Sequence, residues 1–265
     1  DTALWTGALI AVALVLRRPV ARLFGPGMAY ALWALPLLRL VLPPIVLPAL
    51  PIAPTPAPTV IVLGAPVPLV AAAPLFDWRP LLLALWLGGA LLLLGWRLVG
   101  YWRMRARLLA GAVEMERRHG VRVVESPALT SPVAFGLIDR VVAMPVQFAG
   151  GDRLARELAL AHELAHHRRG DLWANWAAQP LLALHWGNPL AWAGWRAMRR
   201  DQEAACDAAL LAGSDPARRA AYGHLIATLA ADCARPAAPA LAAPLACPML
   251  GEKSIVHRLR SLTMT

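Results

Sequence analysis

The chain has 265 residues, 58% of them hydrophobic and only 16% charged, against roughly 45–50% apolar content in an ordinary soluble domain. That excess points to a membrane protein. Lys and Arg outnumber Asp and Glu by 26 to 16, but the Arg residues sit beside long apolar runs, so the surplus reads as a topology signal rather than a phosphate-binding stripe, and no direct nucleic-acid partner is expected. Cys206, Cys233 and Cys247 are odd in number and lack C-x-x-C spacing, which argues against a disulfide framework and a cysteine zinc site and favours reduced thiols. The Asp1-Thr2 start has neither an initiator Met nor a basic n-region, so the N-terminus reads as trimmed, without a cleavable signal peptide.

A helix needs about 20 apolar residues to cross a bilayer. Three segments approach this, making residues 1–109 a predicted transmembrane region that contacts membrane lipid. The first, about 2–16, is uncharged but short. The second, about 23–48, contains Pro36, which should kink it, and Arg39, which must snorkel or face protein. The third, about 80–102, is uninterrupted through LLLALWLGGALLLLGW. Arg17, Arg18 and Arg22 follow the first span, and Arg97, Arg103, Arg105 and Arg107 close the third. Both clusters are therefore placed on the inner side of a multi-pass inner (cytoplasmic) membrane protein. The Pro-rich connection from about 48 to 78 falls outside, and residues 110–265 form a cytoplasmic domain.

That domain opens with a mixed-charge stretch, Glu114 to His119, read as helical. Two β-rich pieces follow, 121–124 and 140–144, separated by Ser-Pro turn formers and expected to make a small hairpin or sheet. Asp152 is placed as the N-cap of a helix carrying Leu154, Leu158, Ala161 and Ala165 at helical spacing. On this helix stands His162-Glu163-Leu164-Ala165-His166. Residues four apart share a face, so both imidazoles can reach one ion while Glu163 projects beside it. The expected ion is Zn2+, which with three protein ligands keeps a fourth position open, lowers the pKa of a bound water to about 7 and polarises a carbonyl. Glu163 is the candidate catalytic base. Chance alone yields H-E-x-x-H in a chain of this composition about half a per cent of the time; an exposed helix face is the alternative reading.

No H-x-x-G-x-x-H continuation follows, so the third ligand must come from elsewhere. Asp201-Gln202-Glu203-Ala204-Ala205-Cys206-Asp207 offers Glu203 for the metal, with Asp207 one turn on to accept a hydrogen bond from a ligand imidazole. A solvated acidic face is the alternative there. The uncharged stretch Leu172 to Trp195 could be scored as a further span, which would put Glu203 across the bilayer from His162. Its Asn175, Pro180, His185 and Gly187-Asn188-Pro189 favour a helix, a turn and a second helix instead. Asp171 with Arg169 reads either as support for the helix end and the site or as a surface ion pair. His167 is expected to face solvent, Cys206 to be a small core residue, and residues 230–248 to be a flexible connection. Tyr222 and His224 are weak candidates for oxyanion stabilisation.

HELAHHRRGD, then NPLAW and DQEAACD, resembles the BlaR/MecR family of antirepressor membrane metallopeptidases, of gluzincin type. The stretch from Ser131 through Pro145 is similar to that family's pre-helix hairpin, and Lys253 to Leu262 to its closing basic helix. The resemblance implies a mainly α membrane protein with a gluzincin-like domain and a small β element. It implies zinc held by His162, His166 and Glu203, the base Glu163, and support from Asp207. It also implies cleavage of a protein substrate, a transcriptional repressor or the chain itself, in a signalling response such as that to antibiotics; a homodimer is compatible with it. Rival readings are a membrane quality-control or prenyl-protein processing protease and a non-catalytic, zinc-containing signal transducer.

Overall fold

The computed structural model describes residues 2–42, 77–148, 152–232 and 245–248. The Pro-rich connection, Cys233 and the basic segment Lys253 to Leu262 fall outside these. The described residues are mainly helical with one small sheet, as expected.

The N-terminal helix α1 (Thr2–Phe24) runs on past the apolar segment through Arg17, Arg18 and Pro19. The expected second span is not one helix. It forms α2 (Pro26–Ala31) and α3 (Ala34–Val41), and the stretch Pro26–Val41 is too short to cross a bilayer by length. The break falls at Leu32-Trp33, where Pro36 can neither donate to the Leu32 carbonyl nor avoid crowding it; Leu35 N–H bonds that carbonyl instead at 3.1 Å. The third segment is α4 (Arg79–Leu109), 31 residues and so about 46 Å long. Among the described residues α1 and α4 are long and apolar enough to span a membrane. Leu81, Leu82, Leu83, Leu85, Leu91 and Leu92 on α4 stand exposed, an apolar surface that calls for lipid or a partner.

The stretch Glu114 to His119, expected to be helical, instead lies in strand β1 (Val113–Arg118) and the turn that follows it. His119 (φ 50°) and Gly120 (φ 75°) both take positive φ, the requirement of a type I′ hairpin turn, and this folds β1 antiparallel onto β2 (Val121–Ser126). Its alternating charges serve cross-strand pairing: Arg122 donates to Glu114 at 3.0 Å. Strands β3 (Val133–Phe135), β4 (Val141–Pro145) and β5 (Cys247–Pro248) complete a sheet of order β1-β2-β4-β3-β5. The two β-rich pieces are thus not a hairpin with each other; β2 and β4 pair in parallel. All of β4 is buried because both sheet faces are covered. One face meets α5 (Arg153–Arg169) and α8 (Pro216–Asp232) through Val142, Met144, Leu158, Tyr222 and Ile226. The other meets the end of α4 through Tyr101, Leu108, Val124 and Phe135. Each such fully buried side chain contributes about 1.5–3 kcal/mol.

The uncharged stretch Leu172–Trp195 divides as expected into a helix, a turn and a second helix: α6 (Asp171–Leu184), the turn, and α7 (Pro189–Leu211), capped by Asn188, whose side chain accepts from Leu190 N–H at 2.9 Å. The hairpin packs between the apolar helices. Its tip bonds α4 in both directions, Trp86 Nε1 to the Leu184 carbonyl at 3.0 Å and Trp186 Nε1 to the Trp86 carbonyl at 3.1 Å. Gly89 makes this approach feasible, since a Cβ there would lie 2.5 Å from the Trp186 ring. On the other side Arg17 of α1 donates to Asp201 of α7 through two nitrogens, and Trp33 Nε1 bonds the same carboxylate at 2.8 Å. Both α1 and the α2–α3 junction are thereby tied to α7 two residues before Glu203.

Candidate metal centre

Asp152 caps α5 as expected, its side chain accepting from Leu154 N–H at 2.9 Å. The two His residues of H-E-x-x-H lie one turn apart on the buried face of this helix, and their Nε2 atoms approach to 3.2 Å. From α7, Glu203 brings Oε2 within 3.4 Å of His162 Nε2 and Oε1 within 3.7 Å of His166 Nε2. Donors held about 2.1 Å from one ion at tetrahedral angles stand about 3.4 Å apart, so these separations suit a zinc-sized cation. The hairpin α6–α7 therefore returns Glu203 to the side of the two imidazoles.

Each imidazole is held from behind. Gly170, at φ 74°, ends α5 in a left-handed turn and starts α6 at once. This places Asp171 against His166, with Nδ1–H donating to Oδ2 at 2.7 Å. Asp171 is fully buried, so it orients a site imidazole, and the surface-pair reading fails; Arg169 also bonds it, at 3.2 Å. Asp207 supports His162 differently from the expectation. Its Oδ1 is 3.4 Å from His162 Nδ1, and the Tyr222 hydroxyl stands between, 2.8 Å from Nδ1 and donating to Oδ1 at 2.6 Å. With both Nε2 lone pairs turned inward, Nδ1–H of His162 donates to Tyr222 and the Tyr222 O–H donates to Asp207. Tyr222 thus sits on the Nδ1 side of the His162 ring, bridging it to Asp207. Nothing in the sequence spacing pointed to this role; a buried Tyr on the helix packing against H-E-x-x-H was the available sign.

Glu163 is fully buried and neither carboxylate oxygen has a hydrogen-bond partner among the described residues. Burial raises its carboxyl to about 7, with His162 and His166 opposing, which suits a proton acceptor near neutral pH. Burial disfavours charge on both imidazoles, yet Cys206 and Glu203 beside them hold both above the ordinary value. A nest that draws positive charge onto both rings, next to an unpartnered carboxylate, is chemically matched to a divalent cation.

Two expectations about neighbours change. His167 does not face solvent; its Nε2 lies 3.1 Å from the Val141 carbonyl, and burial lowers its pKa to about 4, so it is a neutral donor fastening α5 to the sheet. Cys206 is buried, as expected of a small core residue, and potential ligand atoms of His162, His166 and Cys206 lie within 4.8 Å of one another. Residues 245–248 are also more than a connection. They pair antiparallel with β3, Val133 against Pro248 and Ala134 against Cys247, and Cys247 Sγ accepts from Asn175 Nδ2 at 3.2 Å.

A stretch of 113 residues is 29% identical to the regulatory protein BlaR1 of Bacillus licheniformis, covering 43% of this chain and 19% of that protein. The chain thus matches about a fifth of the length of that relative. The family description "BlaR1 peptidase M56" matches residues 1–262, nearly the whole sequence. The chain therefore belongs to the BlaR1 peptidase M56 family.

Proposed function

We propose that the protein is a membrane-embedded zinc metalloendopeptidase in which His162, His166 and Glu203 hold the ion and Glu163 is the general base. The observation that carries this is the convergence of two imidazole Nε2 atoms and a carboxylate at mutual distances of 3.2 to 3.7 Å beside a buried carboxylate with no other partner among the described residues. Zinc bound there would supply Lewis acidity, acidifying a water and polarising the scissile carbonyl. Glu163 takes the proton from the attacking water and delivers it to the leaving amine nitrogen, a relay typically worth 10²–10⁴-fold. Asp171 and the Tyr222–Asp207 pair hold the Nδ1 protons and so keep both Nε2 lone pairs aimed at the ion. The purely structural zinc site of a non-catalytic transducer would have no use for a buried, unpartnered Glu163.

The substrate we infer is a protein strand, either a transcriptional repressor or this chain. Residues 245–248 already lie as an added strand along β3, close enough to the site for Cys247 to contact Gln202, the neighbour of Glu203. Extended main chain docked on a sheet edge beside the metal is how a peptide presents successive carbonyls for cleavage. We further infer an inner-membrane setting with the peptidase domain on the cytoplasmic side, from the Arg clusters that end α1 and α4, and a role in a signalling response; the BlaR1 relative is named a regulatory protein. The test is cleavage of the full chain and of a repressor encoded beside it, comparing wild type with Glu163→Gln in detergent at equal zinc content. Products from wild type and none from the variant are expected; equal cleavage by both would overturn the assignment.

A further inference from the structure

Cys206 takes no part in the hydrolytic roles above, yet it lies closer to them than packing requires. Glu203 and Cys206 are three residues apart on α7 and so share a helix face. The Cys206 side chain is fully buried, and its polar contact is a long one, 3.7 Å from Sγ to the His162 carbonyl. Its sulfur belongs to the same cluster as the ligand nitrogens of His162 and His166, all within 4.8 Å. Glu163, buried and without a hydrogen-bond partner among the described residues, interacts electrostatically with His162, His166, Glu203 and Cys206. Donors at N–Zn and S–Zn distances of about 2.1 and 2.3 Å would stand roughly 3.6 Å apart in a tetrahedron. An approach of about an ångström, within reach of a χ1 adjustment, would complete four-coordination.

Resting on the zinc-site reading above, we propose that Cys206 is a fourth ligand of the resting metal centre and closes the coordination position that hydrolysis needs for water. Two imidazoles, a carboxylate and a thiolate make a closed set of structural type, whereas catalytic sites leave one position open. When Cys206 binds, its thiol proton moves to the Glu163 carboxylate, its sulfur lone pair takes the fourth position and a water leaves. Opening reverses each move: water enters, the sulfur departs and regains its proton. The base is thus occupied in the same state in which water is excluded, so the site is latent twice over. A χ1 rotation of Cys206 is enough to separate the sulfur from the imidazoles while Glu203, on the same helix, stays in place. The thiolate also biases the site towards zinc over magnesium or manganese, which prefer oxygen donors.

The experiment is cobalt substitution of the full chain in detergent, read by absorption. Wild type is expected to show both the visible d–d bands of bound Co2+ and a near-ultraviolet thiolate-to-cobalt charge-transfer band. Cys206→Ser is expected to lose the charge-transfer band and keep the visible bands, while Cys247→Ser keeps both. Visible bands without charge transfer in wild type, or charge transfer that survives Cys206→Ser, would overturn the thiolate ligand and leave the peptidase site standing. Absence of all cobalt bands in wild type, with the same spectrum for His166→Ala, would overturn the metal site itself.

Discussion

Replacing Glu163 by Gln should have opposite effects on activity and on the stability of the metal-free protein. The Glu163 carboxyl, fully buried, has its pKa raised from 4.5 to about 7, and each unit corresponds to about 1.36 kcal/mol. Below pH 4.5 the group is protonated in the folded and unfolded chain alike and costs nothing. As pH rises from 4.5 through about 7 the unfolded chain ionises first, the folded state binds more protons, and stability falls. Above that window the full penalty of about 3 kcal/mol is in place. Gln carries no such pH dependence, so the stability difference between the variant and wild type should grow by about 3 kcal/mol between pH 5 and pH 8. In a chain of this size that amounts to a relative rise in Tm on the order of 10 °C. The assay is thermal unfolding of both proteins in detergent after chelation, across that pH range. Zinc should shrink the difference, because a cation beside the carboxylate favours its charged form. Peptide cleavage by the variant should fall about 10²–10⁴-fold. A stability difference that stays flat with pH would refute the placement of Glu163 as a buried, unpaired acid.

Asp171→Ala and Tyr222→Phe should each weaken zinc binding by about 10–100-fold while the chain stays folded, since each removes the acceptor that orients an imidazole of the site; competition with a chromophoric chelator measures this, and unchanged affinity would count against the roles given. Arg17→Ala strips the bidentate partner from Asp201, whose side chain is 8% exposed, and should cost about 3 kcal/mol because a buried carboxylate loses its countercharge. Thermal unfolding reads it, and a change under half a kilocalorie would be inconsistent with the clamp between α1 and α7. Gly89→Val should force Trp186 from its place, because a Cβ there meets the indole at 2.5 Å; a loss of about 1–3 kcal/mol and altered tryptophan fluorescence are expected.

Much of the centre was legible in the residues because its determinants are local. Helical periodicity alone puts His162 and His166 on one face with Glu163 beside them, and the Asp152 cap is read from the same short stretch. Glu203 could be named from its four-residue spacing to Asp207, and Asn175, Pro180, His185 and Gly187-Asn188-Pro189 favour a helix, a turn and a second helix over a continuous span. The strand at 113–118 was misread because its Glu and Arg residues suit an exposed helix as well as an exposed edge strand. The positive φ of His119 and Gly120, and a partner in β2, decided between them. In the second predicted span, of which residues 23–42 are described, the kink expected at Pro36 is a full break: hydropathy counts apolar residues, whereas the Pro36 clash with the Leu32 carbonyl divides the stretch into α2 and α3. The sequence offers Asp171 and Asp207 as supports but cannot choose between that and a surface role. That Asp171 is buried on His166, that Tyr222 stands between Asp207 and His162, and that Cys206 comes within 4.8 Å of both imidazoles depends on how α5, α6, α7 and α8 pack. Spacing within one helix constrains a face, but only the packing of several helices brings side chains far apart in the chain onto one point.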